Sequence, residues 1–297
     1  MRIVYLGTSQ FAADVLRVMA GREHRPQLVI TRPDRPRGRG RRMASPPVLD
    51  TARELEIPTD QPQSVNDEAA RARIASTSPD VVVVCAFGAL IREPLLSDHL
   101  ILNVHPSLLP RWRGAAPIER AIMAGDDRTG VSIMRLTAGL DSGPVAVVAE
   151  EPIGPSDTYG SLAGRLAPLG GRLLVQALET SPPFHEQDEA GVTYAEKITA
   201  EDRVLDPRRP AIELERVVRA LSPHIGAAIV GPEDERLGVW AATARQARSG
   251  DPAPGELSLD GTVPALGCTP GTLALTTVQP AGRRQMPGDA YLRGLRS

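Results

Sequence analysis

Residues 101–118, reading ILNVHPSLLPRWRGAAPI, set an amide and an imidazole two positions apart at the end of an apolar run. On an extended strand Asn103 and His105 share one face. Pro106 biases the residue before it towards extended geometry, so the register is expected to hold through His105. A carboxylate follows at Asp141, in the glycine-framed run GLDSGP. These three groups suit acyl transfer to an amine. An imidazole can take a proton from the attacking nitrogen. A carboxamide N–H stabilises a developing oxyanion, and loss of one such donor costs roughly 3 kcal/mol of barrier. Asp141 is expected to orient the imidazole or raise its basicity. A lone histidine would more simply be read as a structural one, bonded to a backbone carbonyl; Asn103 and Asp141 shift the balance to catalysis. Neither cysteine is paired with His105 and only Ser107 lies near it, so direct transfer between bound substrates is favoured over a covalent acyl-enzyme.

The second feature is the run TRPDRPRGRGRR at 31–42. It carries Arg32, Arg35, Arg37, Arg39, Arg41 and Arg42 against one acid, Asp34. Its prolines bar a regular helix and its glycines let the backbone adapt. So many like charges repel unless a counter-charge arrives, and arginine forks bond phosphate well. A polyanion contact is favoured over a solvated loop.

Composition limits the alternatives. Hydrophobic residues make up 41% of the 297, enough for a sizeable core in one large or two smaller domains. Aromatics are only 3%, which disfavours RNA reading on stacked rings. The net charge of -2 argues against a whole-surface polyanion coat but not against a local patch. Lys197 is the only lysine, which disfavours Schiff-base chemistry. Cys85 and Cys268 show no metal spacing, and the other histidines form no ligand set with His105, so no metal is expected. No apolar run is long enough to span a membrane, and the expectation is a cytoplasmic protein.

The elements that must position these groups follow a βαβαβ alternation. Strands are expected at 2–6, 27–31, 80–85, 101–104, 130–135 and 143–150, with helices at 11–20, 45–55, 65–76, 116–124 and 161–179. Asn66 or Ser64 would cap the third of those segments. The near-continuous apolar strands call for a parallel-rich sheet with helices on both faces. The run GTSQF after the first strand lacks the later glycines of a dinucleotide fingerprint and reads as a tight turn. A polar, turn-rich stretch then leads to a helix at 212–221. Short strand candidates at 227–230, 237–243, 262–266 and 273–278 suggest a small β-barrel or sandwich.

The stretches YLGTSQFA at 5–12, RPDRPRGRGRR at 32–42, NVHPSLLPRWRGAAPI at 103–118, TGVSIMRLTAGLDSGP at 129–144 and VTYAEKI at 192–198 closely resemble the methionyl-tRNA formyltransferases. The resemblance runs on to VQPAG at 278–282 and covers essentially the whole chain. It implies a Rossmann-like formyltransferase domain over 1–187 that binds 10-formyltetrahydrofolate. A linker at 188–209 and an OB-like barrel over 210–297, which helps hold tRNA, would follow. Asn103, His105 and Asp141 fall on the family's catalytic positions. Ser107, Leu108, Leu109 and Pro110, with Phe87 and Gly88, fall on its folate-binding positions. Arg35, Arg37, Arg39, Arg41 and Arg42 lie in the loop that enters the acceptor-stem region. The acceptor would be methionine on initiator tRNA, and a monomer is expected. Two departures stand out: Pro106 replaces a common glycine, and SPHIGAAI at 222–229 lacks the usual tryptophan. Two other functions compete. One is formyl transfer to a small amine, or 10-formyltetrahydrofolate hydrolysis, without tRNA. The other is a non-catalytic RNA-binding module.

Overall fold

The computed structural model describes residues 1–21, 24–37, 42–231 and 235–296. The chain forms two compact units. The first gathers Met1–Pro117, Thr129–Pro152 and Ala163–Ala195; the second gathers Ile118–Arg128, Ile153–Leu162 and Glu196–Ser297.

The first unit is built on one seven-stranded sheet. Its order is Val145–Pro152, Arg128–Arg135, Ile101–His105, Val81–Cys85, Ile3–Gly7, Leu28–Ile30, Thr59–Asp60. The five strands from Ile101–His105 to Thr59–Asp60 run parallel. Ile101–His105 meets Arg128–Arg135 antiparallel. The sheet is therefore parallel-rich, as the alternation implies. IVYLG, VVVVC and ILNVH are buried at every position. Fully burying one such Val or Ile contributes about 1.5–3 kcal/mol over leaving it exposed. From Ile3–Gly7 the chain steps out to Leu28–Ile30 and Thr59–Asp60, then returns on the other side at Val81–Cys85. Open sheets of this type bind ligands beyond the carboxyl ends of their strands, at such reversals.

Helix Gln10–Ala20 buries Phe11, Ala12, Val15, Leu16 and Met19, and Ser9 caps it by accepting the Ala12 N–H at 3.3 Å. Such a cap contributes about 1 kcal/mol. Gly7 ends the first strand, and only Thr8 and Ser9 separate it from the helix, a tight turn as the run GTSQF suggests. A Cβ at Gly7 would lie 2.7 Å from the Tyr5 ring and 3.0 Å from Ala12, so the glycine permits close strand–helix packing.

The third helix spans Glu68–Ser76, shorter than 65–76, and neither Asn66 nor Ser64 is its N-cap. Asn66 instead donates to the Leu90 carbonyl at 2.8 Å and accepts the Arg92 N–H at 2.9 Å. Its amide ties two loops together, a long-range use that local pattern does not register. The arginine-rich segment is also not simply a loop. Arg35–Arg37 and Arg42–Ala44 pair antiparallel as a hairpin, which tolerates Pro36 because the pair has free edges.

The second unit carries an antiparallel sheet ordered Ala227–Val230, Arg236–Arg245, Thr272–Pro280, Ala265–Gly267, Leu257–Ser258, with Met286–Pro287 also pairing Thr272–Pro280. Helix Ala211–Leu221 sends Leu214, Val217, Val218 and Leu221 into a core with Val239, Leu273, Leu275 and Val278. Helix Gly288–Arg296 is an element the sequence pattern did not suggest. Its two glycines weaken the helical signal, while Arg293 and Asp289 pair at 2.6 Å one turn apart. Arg120 grips Asp202 with two bonds of 2.7 and 3.0 Å.

Candidate active site

Strand Ile101–His105 places Asn103 beside Val84 on one neighbour and Met134 on the other, and His105 opposite Ser132. Both residues are buried, at 8% and 3% exposure. Asp141 reaches them from the turn that follows Arg128–Arg135. Asn103 Nδ2 donates to Asp141 Oδ1 at 3.3 Å. His105 Nδ1 lies 3.7 Å from Asp141 Oδ2. The Gly114 N–H donates to the same Oδ2 at 2.9 Å. The structure thus brings the amide, the imidazole and the carboxylate together, with one carboxylate oxygen towards each partner.

The other ring nitrogen settles how the histidine is poised. His105 Nε2 is 2.8 Å from the carbonyl oxygen of Trp112. A carbonyl only accepts, so Nε2 carries the proton and the lone pair of the neutral ring sits at Nδ1, on the Asp141 side. Trp112 presents that carbonyl from a left-handed backbone, φ 64°, and its N–H donates to Thr193 Oγ1 at 2.8 Å. Asp141 is also left-handed, φ 43°, a conformation that aspartate tolerates better than most residues.

Gly114 meets a stricter requirement. Its φ is +124°, and a Cβ there would lie 2.7 Å from the Ala195 carbonyl oxygen. Residues Arg113–Gly114 pair in parallel with Tyr194–Ala195, so the YA of VTYAEKI lies along the loop that holds His105 and Asp141.

The loop at 107–110 is tied to the neighbouring strand. Ser132 Oγ donates to the Ser107 carbonyl at 2.7 Å and accepts the Leu109 N–H at 3.2 Å. Leu108, Leu109 and Pro110 are half-buried. Ser107 is fully buried and its Oγ donates to the Arg111 carbonyl at 2.6 Å, so its hydroxyl does not engage His105. Pro106 sits in the middle of a three-residue turn closed by Ser107 N–H to the His105 carbonyl at 2.9 Å. That turn needs no N–H from its central residue, so proline fits it. Cys85 offers no alternative nucleophile, because burial pushes its thiol up to about 12.

Phe87 and Gly88 follow strand Val81–Cys85. The Phe87 ring belongs to a core cluster with Val84, Ile91 and Leu95. The Phe87 carbonyl accepts from Thr8 Oγ1 at 2.7 Å, and the Gly88 carbonyl from Arg32 Nη1 at 3.1 Å. Arg32 therefore folds back onto the unit instead of adding to the open charge of its segment. Arg35 is exposed at the base of the hairpin. Arg37 and Arg42 are backbone partners in its register. Arg39 and Arg41 lie outside the described residues.

Sequence reasoning missed the Trp112 carbonyl, the Gly114 N–H, Ser132, Thr193 and Gln187. The first two are backbone groups, which no side-chain pattern reveals. Gly114 was visible as an isolated glycine in RWRG, and Thr193 as part of VTYAEKI.

Two family models match the chain: formyl transferase over residues 1–178, and formyl transferase, C-terminal domain, over 197–296. The methionyl-tRNA formyltransferase of Cereibacter sphaeroides is 42% identical over 299 residues, covering 99% of this chain and 96% of that one. That of Acidithiobacillus ferrooxidans is 43% identical over 305 residues, with the same coverage.

The chain belongs to the methionyl-tRNA formyltransferase family.

It is accordingly a formyl-transferring enzyme, and the resemblance read from its motifs holds over nearly its full length. The protein from Dechloromonas aromatica, at 39% identity over 297 residues, agrees. Solved structures extend the likeness in fold alone. HypX from Aquifex aeolicus, in complex with tetrahydrofolic acid, superposes with a TM-score of 0.65 at 17% identity over 98% of this chain; the match spans 47% of the HypX chain. An N-formyltransferase from Helicobacter canadensis, in complex with folinic acid and dTDP-3-aminofucose, gives 0.64 at 14% identity, over 93% of this chain and 99% of that one. Among the described residues no helix is long and apolar enough to cross a membrane. Among them, too, no three metal-ligating side chains gather.

Proposed function

We propose that this enzyme moves the formyl group of 10-formyltetrahydrofolate to the α-amine of methionine carried on initiator tRNA, with Asn103, His105 and Asp141 as the catalytic groups. The donor supplies an electrophilic one-carbon unit on an aryl amine. Asn103 donates its amide N–H to the oxygen on which charge develops. His105 accepts the amine proton at Nδ1 and returns it to the departing nitrogen. Asp141 stabilises the imidazolium between those two transfers. Residues Ser107, Leu108, Leu109 and Pro110, with Phe87 and Gly88, form the donor site. Their contacts would come from the half-buried loop surface and from backbone, since the Phe87 ring and the Ser107 hydroxyl are engaged internally.

The charged tRNA is held by Arg35, Arg37, Arg39, Arg41 and Arg42. We assign transfer to residues 1–187 and tRNA support to 210–297, joined through 188–209, with the enzyme acting as a cytoplasmic monomer without a metal. The observation that carries the reading is the 3.7 Å approach of His105 Nδ1 to a carboxylate that Asn103 also contacts.

The test is direct. The full chain is incubated with 10-formyltetrahydrofolate and methionine-charged initiator tRNA, and the released amino acid is analysed. Formylmethionine is expected. Formate release or formylation of small amines, with the charged tRNA untouched, would overturn the assignment of the acceptor.

A further inference from the structure

The structure assigns to Gln187 the positioning of Asp141, through a clamp that joins the aspartate's turn to the loop beneath it. Gln187 Nε2 donates to two carbonyls, those of Asp141 and Gly143, each at 2.8 Å. Its Oε1 accepts from Arg113 Nε at 2.9 Å. Both amide hydrogens and the amide oxygen are thus engaged, and only one orientation of the amide is compatible with these partners. The guanidinium is buried, at 4% exposure. Its charge polarises the amide that accepts from it and so strengthens the two N–H donors on the far side. Arg113 directly precedes Gly114, whose N–H holds Asp141 Oδ2. One short segment therefore fastens Asp141 at both ends: its carboxylate through Gly114, and its backbone through Arg113 and Gln187.

Asp141 needs such fastening. A left-handed backbone at a residue other than glycine costs of order 1–3 kcal/mol, and it persists where the surroundings over-determine it. A shift of about 1 Å in a catalytic group can cost about 100-fold in rate. Gln187 touches neither Asn103 nor His105 through any bond that the structure shows, so it acts as a positioning residue. Because it works only through Asp141, its role stands on the proposed part of that carboxylate in transfer.

A double-mutant cycle tests this with the full chain, the folate donor and methionine-charged initiator tRNA. Gln187→Leu keeps the volume and removes all three bonds. It is expected to lower kcat about 10- to 100-fold while both KM values stay within about threefold. Asp141→Asn is expected to cost at least about 100-fold. The decisive reading is the double variant, which should be no slower than Asp141→Asn alone, because Gln187 then has nothing left to position. Gln187→Glu supplies a second route if the leucine variant does not fold. It retains the Arg113 partner but turns oxygen towards the Asp141 and Gly143 carbonyls, and the same fall in kcat is expected. A slow Asp141→Asn beside a Gln187 variant of wild-type kcat overturns the clamp alone. Full additivity of the two losses also overturns it. A fully active Asp141→Asn overturns the reading of the carboxylate itself, and the clamp falls with it.

Discussion

His105 Nε2 lies 2.8 Å from the Trp112 carbonyl oxygen, and this contact decides which ring nitrogen can receive a proton. The two residues are seven apart, on a strand end and on the loop that folds back over it. The carbonyl fixes the tautomer with Nδ1 open, and Nδ1 is the nitrogen that faces Asp141. Orientation of the imidazole therefore depends on a peptide group, and on whatever holds that peptide group still.

Thr193 is what holds it. Its backbone carbonyl accepts the Arg113 N–H of that same peptide group at 2.9 Å, and its Oγ1 accepts the Trp112 N–H of the preceding one at 2.8 Å. Thr193→Val removes that acceptor at nearly constant volume. We expect kcat to fall about 10-fold and stability to fall by about 1 kcal/mol, the usual net contribution of such a bond. Steady-state kinetics and urea unfolding check both.

Gly114→Ala should be more damaging. The added Cβ meets the Ala195 carbonyl oxygen at 2.7 Å, and φ of +124° is strained for any L side chain. A loss of about 1–3 kcal/mol in unfolding free energy is expected. The rate should drop as well, because the Gly114 N–H then leaves Asp141 Oδ2. An alanine variant with unchanged stability and rate would be inconsistent with this backbone geometry.

Strand Ile101–His105 was legible in the sequence because its period of two and its apolar run are local signals. Asn103 and His105 on one face followed from spacing alone. The sheet was legible for the same reason, since VVVVC and IVYLG admit few alternatives to buried parallel strands. What remained hidden was long-range and made by backbone. The Trp112 carbonyl, the Gly114 N–H and the Gln187 clamp exist only once residues 187–195 lie along the 111–116 loop. Residues 188–195 belong to a stretch that reads as linker because it is polar and turn-rich. Its polarity serves to bond another loop. The helix at Gly288–Arg296 was missed because its two glycines lower helical propensity, even though its residues follow a helical apolar period.

Cys85 should be inert in the native enzyme. Burial raises its thiol to about 12 and burial also raises Cys268. At pH about 8 iodoacetamide should label neither residue within an hour, and both should react once the chain is unfolded in urea. Peptide mass spectrometry distinguishes the states. Rapid native labelling of Cys85 would contradict the packing around Ile3–Gly7 and Val81–Cys85.

In the second unit Arg120 provides a pH-dependent brace. Its two bonds, with help from Thr199, hold the Asp202 carboxyl down to about 2 from an ordinary value of 3.8. A depressed carboxyl stabilises the fold above its unfolded value, and that contribution is lost as pH falls through the folded one. Arg120→Gln should therefore lower Tm at neutral pH by about 2–4 °C, allowing for partial screening of the pair by water. The gap to wild type should narrow as pH falls from about 4 towards 2. Thermal melts across that window measure it, and a gap that widens on acidification would refute the brace.

The central claim is that His105 relays the proton during transfer. Single-turnover formylation of methionine-charged initiator tRNA by His105→Ala, saturated with the folate donor, tests it most directly. A rate at least about 100-fold below wild type, in a variant with an unaltered melting profile, is the expected result. A His105→Ala enzyme that formylates at the wild-type rate would contradict it.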